Sequence, residues 1–203
     1  MTAGPTVYVV DDDEGVRDAL ALHLDLAGLR VQTFASADAF LAAVGPEEAG
    51  CAVLDIRMPG MDGLTLQKEM ARRGIPLPVI IITGHGDVPA AVSAFRAGAV
   101  DFLQKPFDED RLIDRVREAM ERDARDRRQR QEEEDARRRA DSLSPREREV
   151  MLLIAEGLSN KHVALRLDIG VRTVETHRAR VMEKMGVGSV SELARLALLL
   201  GEE

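Results

Sequence analysis

Five polar residues stand where short apolar runs stop: Asp11 and Asp12 after TVYVV, Asp55 after CAVL, Thr83 after VIII, and Lys105 after VDFLQ. Three carboxylates gathered at one place repel one another, so in ionised form they demand a cation. Hard oxygen ligands with room for water suit Mg2+, usually in a carboxylate–metal–phosphate arrangement. A threonine hydroxyl can donate to a phosphoryl oxygen, and a lysine supplies a point positive charge for another. Phosphoryl transfer needs chiefly positioning and charge neutralisation, and this set offers both. No Ser, Cys or His nucleophile stands at these ends, so a carboxylate is the candidate acceptor, and covalent chemistry through Asp is established.

Each residue also has an ordinary reading. Asp11 to Asp13 can cap the next helix, Lys105 can be a solvated lysine, and Thr83 an unremarked strand residue. Convergence requires a fold that brings the run ends together. Runs 6–10, 29–34, 52–55, 79–83 and 100–103 read as strands. Helical patterns alternate with them: Val16, Leu20, Leu24 and Ala27 closed by Gly28, then 37–44 capped by Ser36, 64–73 stopped by Gly74 and Pro76, and 88–97 capped by Gly98. Such alternation predicts an α/β fold, a doubly wound five-stranded parallel sheet with helices on both faces. Ligands bind such sheets at the carboxyl ends of the strands, where all five polar residues fall.

Composition narrows the class. The chain has 203 residues, 45% of them hydrophobic, enough for two small domains with real cores. No apolar run approaches the roughly 18 residues of a membrane span. Met1-Thr2-Ala3-Gly4-Pro5 lacks a basic region followed by an apolar core, so no signal peptide is expected. The single cysteine, Cys51, lies in an apolar strand and excludes a disulfide framework and a Cys-based zinc site. A cytoplasmic protein without a membrane partner is expected. The net charge of −8 is uneven: residues 1–107 carry 8 basic and 14 acidic side chains, 108–141 carry 11 and 13, and 142–203 carry 9 and 9. A neutral tail can still present a basic face.

From Asp108 a helix begins with Leu112, Ile113, Val116, Ala119 and Met120 as its apolar face. Between Arg122 and Arg139 no aliphatic residue exceeds Ala, and opposite charges recur at i, i+4 in Asp123–Arg127, Asp126–Arg130, Glu133–Arg137 and Glu134–Arg138. A solvated helical extension and a disordered linker are both compatible with this; a strong coiled coil is not, for lack of an apolar heptad seam. At Ser144-Pro145-Arg146-Glu147 a capping box opens four short helices: 145–156, 160–167, 171–185 and 190–200. Three parts result: 1–121, a charged segment 122–141, and an all-α four-helix part 142–203.

Val10-Asp11-Asp12, Leu54-Asp55-Ile56-Arg57-Met58-Pro59-Gly60-Met61-Asp62-Gly63, Thr83-Gly84 and Lys105-Pro106-Phe107 together resemble the receiver domain of two-component response regulators, over about residues 5–120. The resemblance implies a flavodoxin-like receiver with Asp55 as phosphoacceptor and Asp11 and Asp12 as the acid pair. It also implies Mg2+ on Asp12, Asp55 and the Arg57 carbonyl oxygen, and Thr83 and Lys105 on the phosphoryl group. A cis Lys105–Pro106 bond and Phe102 as the switch aromatic that packs inward when Thr83 moves complete the set. His85, two residues after Thr83, is either an exposed loop histidine or an influence on the water that attacks the aspartyl phosphate.

Leu143 to Val150, Gly157-Leu158-Ser159-Asn160-Lys161, Arg172-Thr173-Val174-Glu175-Thr176-His177-Arg178 and Met182 to Val187 resemble the LuxR-type helix-turn-helix. With the receiver, the whole chain is similar to response regulators of the FixJ/NarL type. A recognition helix enters the major groove by its N-terminal half. Thr176, His177, Arg178 and Arg180 are then expected near bases or flanking phosphates, and Asn160, Lys161, Arg172 and Thr173 on the backbone, which positions without specifying. Gly170 stands where the family usually has Ser, a tolerated N-cap, and Glu175 falls on the DNA side. The resemblance implies a DNA-binding transcription regulator, with a sensor histidine kinase and promoter DNA as partners and a homodimer when phosphorylated. Two rival readings fit these residues less well. A phosphatase using an aspartyl nucleophile would be expected to carry a second Asp two residues on, where this chain has Arg57. An adaptor that is never phosphorylated would have no use for the acid, Thr and Lys set.

Overall fold

A computed structural model describes residues 4–84 and 88–201. Its chain divides into two compact units, up to Asp126 and from Arg127 onward. In the first, β1 (Thr6–Val10), β2 (Arg30–Phe34), β3 (Gly50–Asp55), β4 (Val79–Thr83) and β5 (Asp101–Gln104) form one parallel sheet in the order β2-β1-β3-β4-β5.

The three inner strands are buried along their whole length, which is why they read as unbroken apolar runs. Their side chains alternate between two cores. Tyr8, Val10, Ala52, Leu54 and Ile81 face Phe40 of α2 (Ala37–Ala43), Leu66 and Met70 of α3 (Gly63–Arg72), and Ala94 of α4 (Val88–Arg96). Val7, Val9, Cys51, Val53, Ile80 and Ile82 face Leu20 and Leu24 of α1 (Glu14–Leu26) and Leu112 and Val116 of α5 (Glu109–Asp141). Edge-to-face contacts of Phe40 with Tyr8 (6.1 Å) and Phe34 (5.6 Å) anchor the first core. Cys51 is fully buried, and burial pushes its thiol up to about 12, an inert core residue.

Chain direction across the sheet reverses between β1 and β3, and their register pairs Val10 with Leu54. The next residues, Asp11 and Asp55, are thereby neighbours at the switch point. Two glycines make the approach possible. At Gly63 a Cβ would lie 2.2 Å from the Asp55 carbonyl oxygen, so only glycine lets α3 start this close to β3. At Gly50, with φ +129°, a Cβ would come within 1.8 Å of the Thr6 carbonyl oxygen. β3 therefore begins two residues earlier than the apolar run indicates.

The segment 122–141 is helical: α5 continues through it to Asp141. Contacts outside the expected ion-pair series also hold this helix. Asp123 is buried (2% exposed) and accepts from the Gly50 N–H at 2.9 Å, fastening the start of β3. Asp126 lies 3.8 Å from Arg122, Arg138 pairs with Asp135 instead of Glu134, and Glu133 accepts from Gln129 at 2.9 Å. These i, i+3 and i, i+4 contacts are exposed and individually weak.

In the second unit, the end of α5 joins α6 (Pro145–Ala155), α7 (Asn160–Leu167), α8 (Val171–Met185) and α9 (Val190–Leu200). Both arms of the Ser144/Glu147 capping box are closed. Val150, Met151, Ile154, Val163, Val174, Val181, Met185 and Leu193 form its core, with Ala136 and Ala140 of α5 packed into it. Between α7 and α8 the chain turns through Asp168 in the left-handed region (φ 51°).

Candidate functional site

The carboxyl edge of the sheet gathers Asp11, Asp55 and Lys105. Asp11 is 1% exposed and Asp55 5%. The Lys105 ammonium donates to Asp11 Oδ2 at 2.6 Å and to Asp55 Oδ1 at 2.8 Å, bridging carboxylates from β1 and β3 with a residue just after β5. The other Asp55 oxygen accepts from the Arg57 backbone N–H at 2.6 Å. Thr83 is fully buried at the end of β4, and its carbonyl accepts from the Lys105 N–H at 2.7 Å. Lys105–Pro106 is cis.

Burial pushes the Asp55 carboxyl above the ordinary range. The hydrogen bond and charge of Lys105 pull it back, the Asp11 charge raises it further, and the Arg57 N–H lowers it. At Lys105, burial works against the charged form, but the hydrogen bonds and charges of Asp11 and Asp55 together outweigh it and hold the ammonium above the ordinary lysine value. The two partners therefore shift the same way for different reasons: two carboxylates support one lysine, and that lysine does not fully offset the burial of Asp55. A further cation, or a ligand carrying one, would be favoured here.

The acid run separates into distinct jobs. Asp13 caps α1, accepting from the Val16 N–H at 3.1 Å. Asp11 turns inward, with its other oxygen accepting from the Asp13 N–H at 3.0 Å. Asp12 stays exposed. Among the described residues no three His, Cys, Asp or Glu side chains converge closely enough to hold a metal ion; Asp12 stands outside the pair that Lys105 brings together. Arg17, which the sequence did not single out, donates to the carbonyls of Asp11 (2.8 Å) and Asp12 (2.9 Å) and so holds the acidic turn. Its position one helical turn after the acids was the available clue. Phe102 is half-buried against the core on the α3 side of the sheet. His85 lies outside the described residues.

In the second unit, the candidate DNA-contacting residues fall into two groups. Arg172, Thr173, Thr176 and Arg180 are exposed along α8, opposite the buried stripe Val174, Val181 and Met185, and Lys161 is exposed on α7. Arg178 is half-buried and donates to Asn160 Oδ1 at 3.0 Å, a tie between α8 and α7, and His177 is half-buried with its Nδ1 covered. Those last three are thus turned in part toward the domain rather than outward. Gly170 caps α8 without a side-chain hydrogen bond, as its lack of a side chain requires.

Comparison with known proteins agrees with both halves. Residues 7–117 match the family "Response regulator receiver domain", and residues 141–197 match "Bacterial regulatory proteins, luxR family". The chain is 48% identical over 201 residues to the transcriptional regulatory protein FixJ of Bradyrhizobium diazoefficiens, covering 99% of this chain and 98% of that one. Among solved structures, it resembles response regulator StyR at 42% identity with a TM-score of 0.87, covering 97% of this chain and 99% of that one. Full-length FixJ from B. japonicum matches over the whole of both chains at 47% identity with a TM-score of 0.61. Receiver and DNA-binding domains in one chain imply a kinase and DNA as partners. This chain belongs to the FixJ family of response regulators: it is a DNA-binding transcriptional regulator of two-component signalling and not a metabolic enzyme.

Proposed function

We propose that Asp55 is the phosphoacceptor. The carrying observation is the Lys105 ammonium held between Asp11 and Asp55 at the sheet's carboxyl edge. In the transfer, an Asp55 carboxylate oxygen bonds to phosphorus while the P–N bond to the donor histidine breaks, its electron pair returning to the imidazole. Lys105 moves its positive charge from the free carboxylates onto the phosphoryl oxygens, and the Thr83 hydroxyl donates to another of them. Thr83 and Phe102 then shift together as the switch pair.

Mg2+ fits the donor set: a buried Asp55 carboxylate whose ionised form is under-compensated, and an exposed Asp12 free to supply a further oxygen. Asp12, Asp55 and the Arg57 carbonyl would hold it, beside Asp11. When bound, it neutralises charge developing on the transferred group.

The function divides along the chain as 1–121 receiver, 122–141 connecting helix and 142–203 DNA-binding domain. Phosphorylation adds about −1.5 to −2 charges and shifts the receiver toward a homodimer through α4, β5 and the start of α5. Val88, Val92 and Phe95, exposed at 76%, 42% and 50%, support α4 as part of that face. A dimer places two recognition helices on half-sites about one helical turn apart. Arg172, Thr173, Thr176 and Arg180 present the outward stripe, with Lys161 on the backbone and His177 at the stripe's margin, while Asn160 and Arg178 set the angle between α7 and α8. The protein works in the cytoplasm.

The deciding experiment is incubation with acetyl phosphate and Mg2+ followed by mapping of acid-labile phosphate. Phosphate on Asp55 is expected. Turnover of monoesters, or phosphate on another residue, overturns the reading.

A further inference from the structure

The last turns of α5 lie in the segment read from sequence as a connector, yet they make specific contacts with the end of the recognition helix α8. A helix leaves its final carbonyls without partners inside the helix. At the end of α8, Gly186 and Val187 return N–H groups to the Glu183 and Met182 carbonyls. The Met185 carbonyl is reached from outside: Arg139 Nη1 donates to it at 3.0 Å. A guanidinium there also opposes the negative end of the helix dipole.

The clasp runs in both directions. Lys184 of α8 donates to the Ser142 carbonyl just past α5 at 3.0 Å and to Glu147 Oε2 at 2.6 Å. Glu147 is 3% exposed and closes the α6 capping box with the same oxygen, so Lys184 is tied to the rigid start of α6. Ala136 and Ala140, one turn apart and 1% and 2% exposed, bring α5 close enough for Arg139 to reach. Gly186 leaves room for it: at φ +64° it needs no side chain, and a Cβ would sit 3.2 Å from Arg139 Nη1.

We infer that Arg139 is a positioning residue for DNA recognition, holding the C-terminal end of α8 so that its N-terminal half meets base edges in register. This rests on the reading of α8 as the recognition helix. An α-helix of 15 residues is about 22 Å long and tilts as a rod on the stripe Val174, Val181 and Met185 that anchors it. Loosening the C-terminal end therefore changes the tilt at which the N-terminal half is presented. Hydrogen bonds to base edges tolerate only a few tenths of an ångström, whereas attraction to phosphates is long-ranged and forgiving. Loss of Arg139 should thus weaken specific binding and leave non-specific binding alone.

The test uses the full chain with acetyl phosphate and Mg2+, one duplex selected from a random-sequence pool by the wild-type protein, and one unselected duplex of equal length. Arg139→Ala should bind the selected duplex about fivefold more weakly, the scale of one helix-end interaction. It should bind the unselected duplex as the wild type does, and the dependence of affinity on salt should be unchanged. Arg139→Lys, which keeps a cation able to reach the same carbonyl, should return affinity to within about twofold. Arg137→Ala, on an exposed face of the same helix, should behave as wild type. Equal losses on both duplexes, with a lowered unfolding midpoint, would reduce Arg139 to general stability and overturn the inference. A salt slope reduced by about 0.9 would make it a phosphate contact instead and overturn it too. Arg139→Ala matching the wild type on the selected duplex overturns this inference alone. A wild type that selects no sequence overturns the recognition-helix reading along with it.

Discussion

The receiver's carboxylate edge and the face of α8 place their functional residues by different geometric rules. In a parallel sheet every strand ends at the same edge, so Asp11, Asp55, Thr83 and Lys105 share an edge as soon as the strands are identified. On a helix, each residue is rotated about 100° from the last, and which residues face out depends on which face is packed. Burial of Val174, Val181 and Met185 turns Arg172, Thr176 and Arg180 outward and leaves Arg178 reaching back to Asn160. The carboxylates of the two regions differ as well. Asp55 is buried with insufficient compensation, which raises its carboxyl above the ordinary value. Glu147 is held well down, to about 2, by the Lys184 hydrogen bond first and the Ser144 backbone N–H next, and is structural.

The sharpest way to break this contrast is Asp55→Asn. Acid-labile phosphate after treatment with acetyl phosphate and Mg2+ should be lost completely by mass spectrometry; phosphate appearing at Asp11 or Asp12 would mean the edge does not distinguish its acids. Next in size is Phe40→Ala, which removes a fully buried ring from the receiver core and should lower that unit's stability by about 3–5 kcal/mol. Tyr8, the only tyrosine, reports that transition by fluorescence. A matching shift in the helical unit, followed by circular dichroism, would show that the two units unfold as one.

The carboxylate contrast has opposite signs in pH. Glu147 has a depressed folded value, so its contribution is present above the ordinary 4.5 and is lost as pH falls toward about 2. Glu147→Gln can still close the capping box but loses the charge that Lys184 pairs with, so it should destabilise the helical unit at pH 7 by about 1 kcal/mol, the difference between a charge-assisted and a neutral hydrogen bond. That deficit should shrink below pH 4.5. Asp55 has a raised folded value, so ionising it weakens the fold as pH rises from its ordinary 3.8. Asp55→Asn should then stabilise the receiver at pH 7 and confer no gain below pH 3.8. Denaturant midpoints across this range decide both; the same sign for both variants would erase the distinction. The smallest effect concerns the outward and inward arginines of α8. Arg180→Ala should reduce the salt slope of DNA binding by about 0.9, and Arg178→Ala should leave it unchanged. Equal slopes for the two would place both on the phosphates.

Most of the elements were legible because inner strands buried on both faces leave long β-branched runs, and because Ser36, Ser144 and Gly28 mark helix ends locally. The site at the sheet edge was legible for the same reason, down to the cis Lys105–Pro106 bond that the family resemblance implied. Less visible were contacts that join distant positions. Asp123 looked like one charge among many on a solvated helix, and only the sheet's proximity makes it a buried acceptor for Gly50. Arg17 carried no motif, and its role follows from a long side chain folding back over the acidic turn. Gly63 sits in a recognisable loop, but its necessity appears only when α3 closes on the Asp55 carbonyl.

By itself, the sequence determined an alternating parallel sheet with an acid, threonine and lysine edge, a charged stretch, and a four-helix domain. Those features depend on local patterns: apolar runs of strand length, caps, and turn residues. Tertiary structure alone decided that Asp11 rather than Asp12 shares Lys105 with Asp55, that Arg178 turns inward, and that the end of α5 grips α8. Each of those depends on rotation and reach across some 18 to 94 positions of chain, between Asn160 and Arg178 at one extreme and Asp11 and Lys105 at the other. Packing sets such distances, and no local pattern records them.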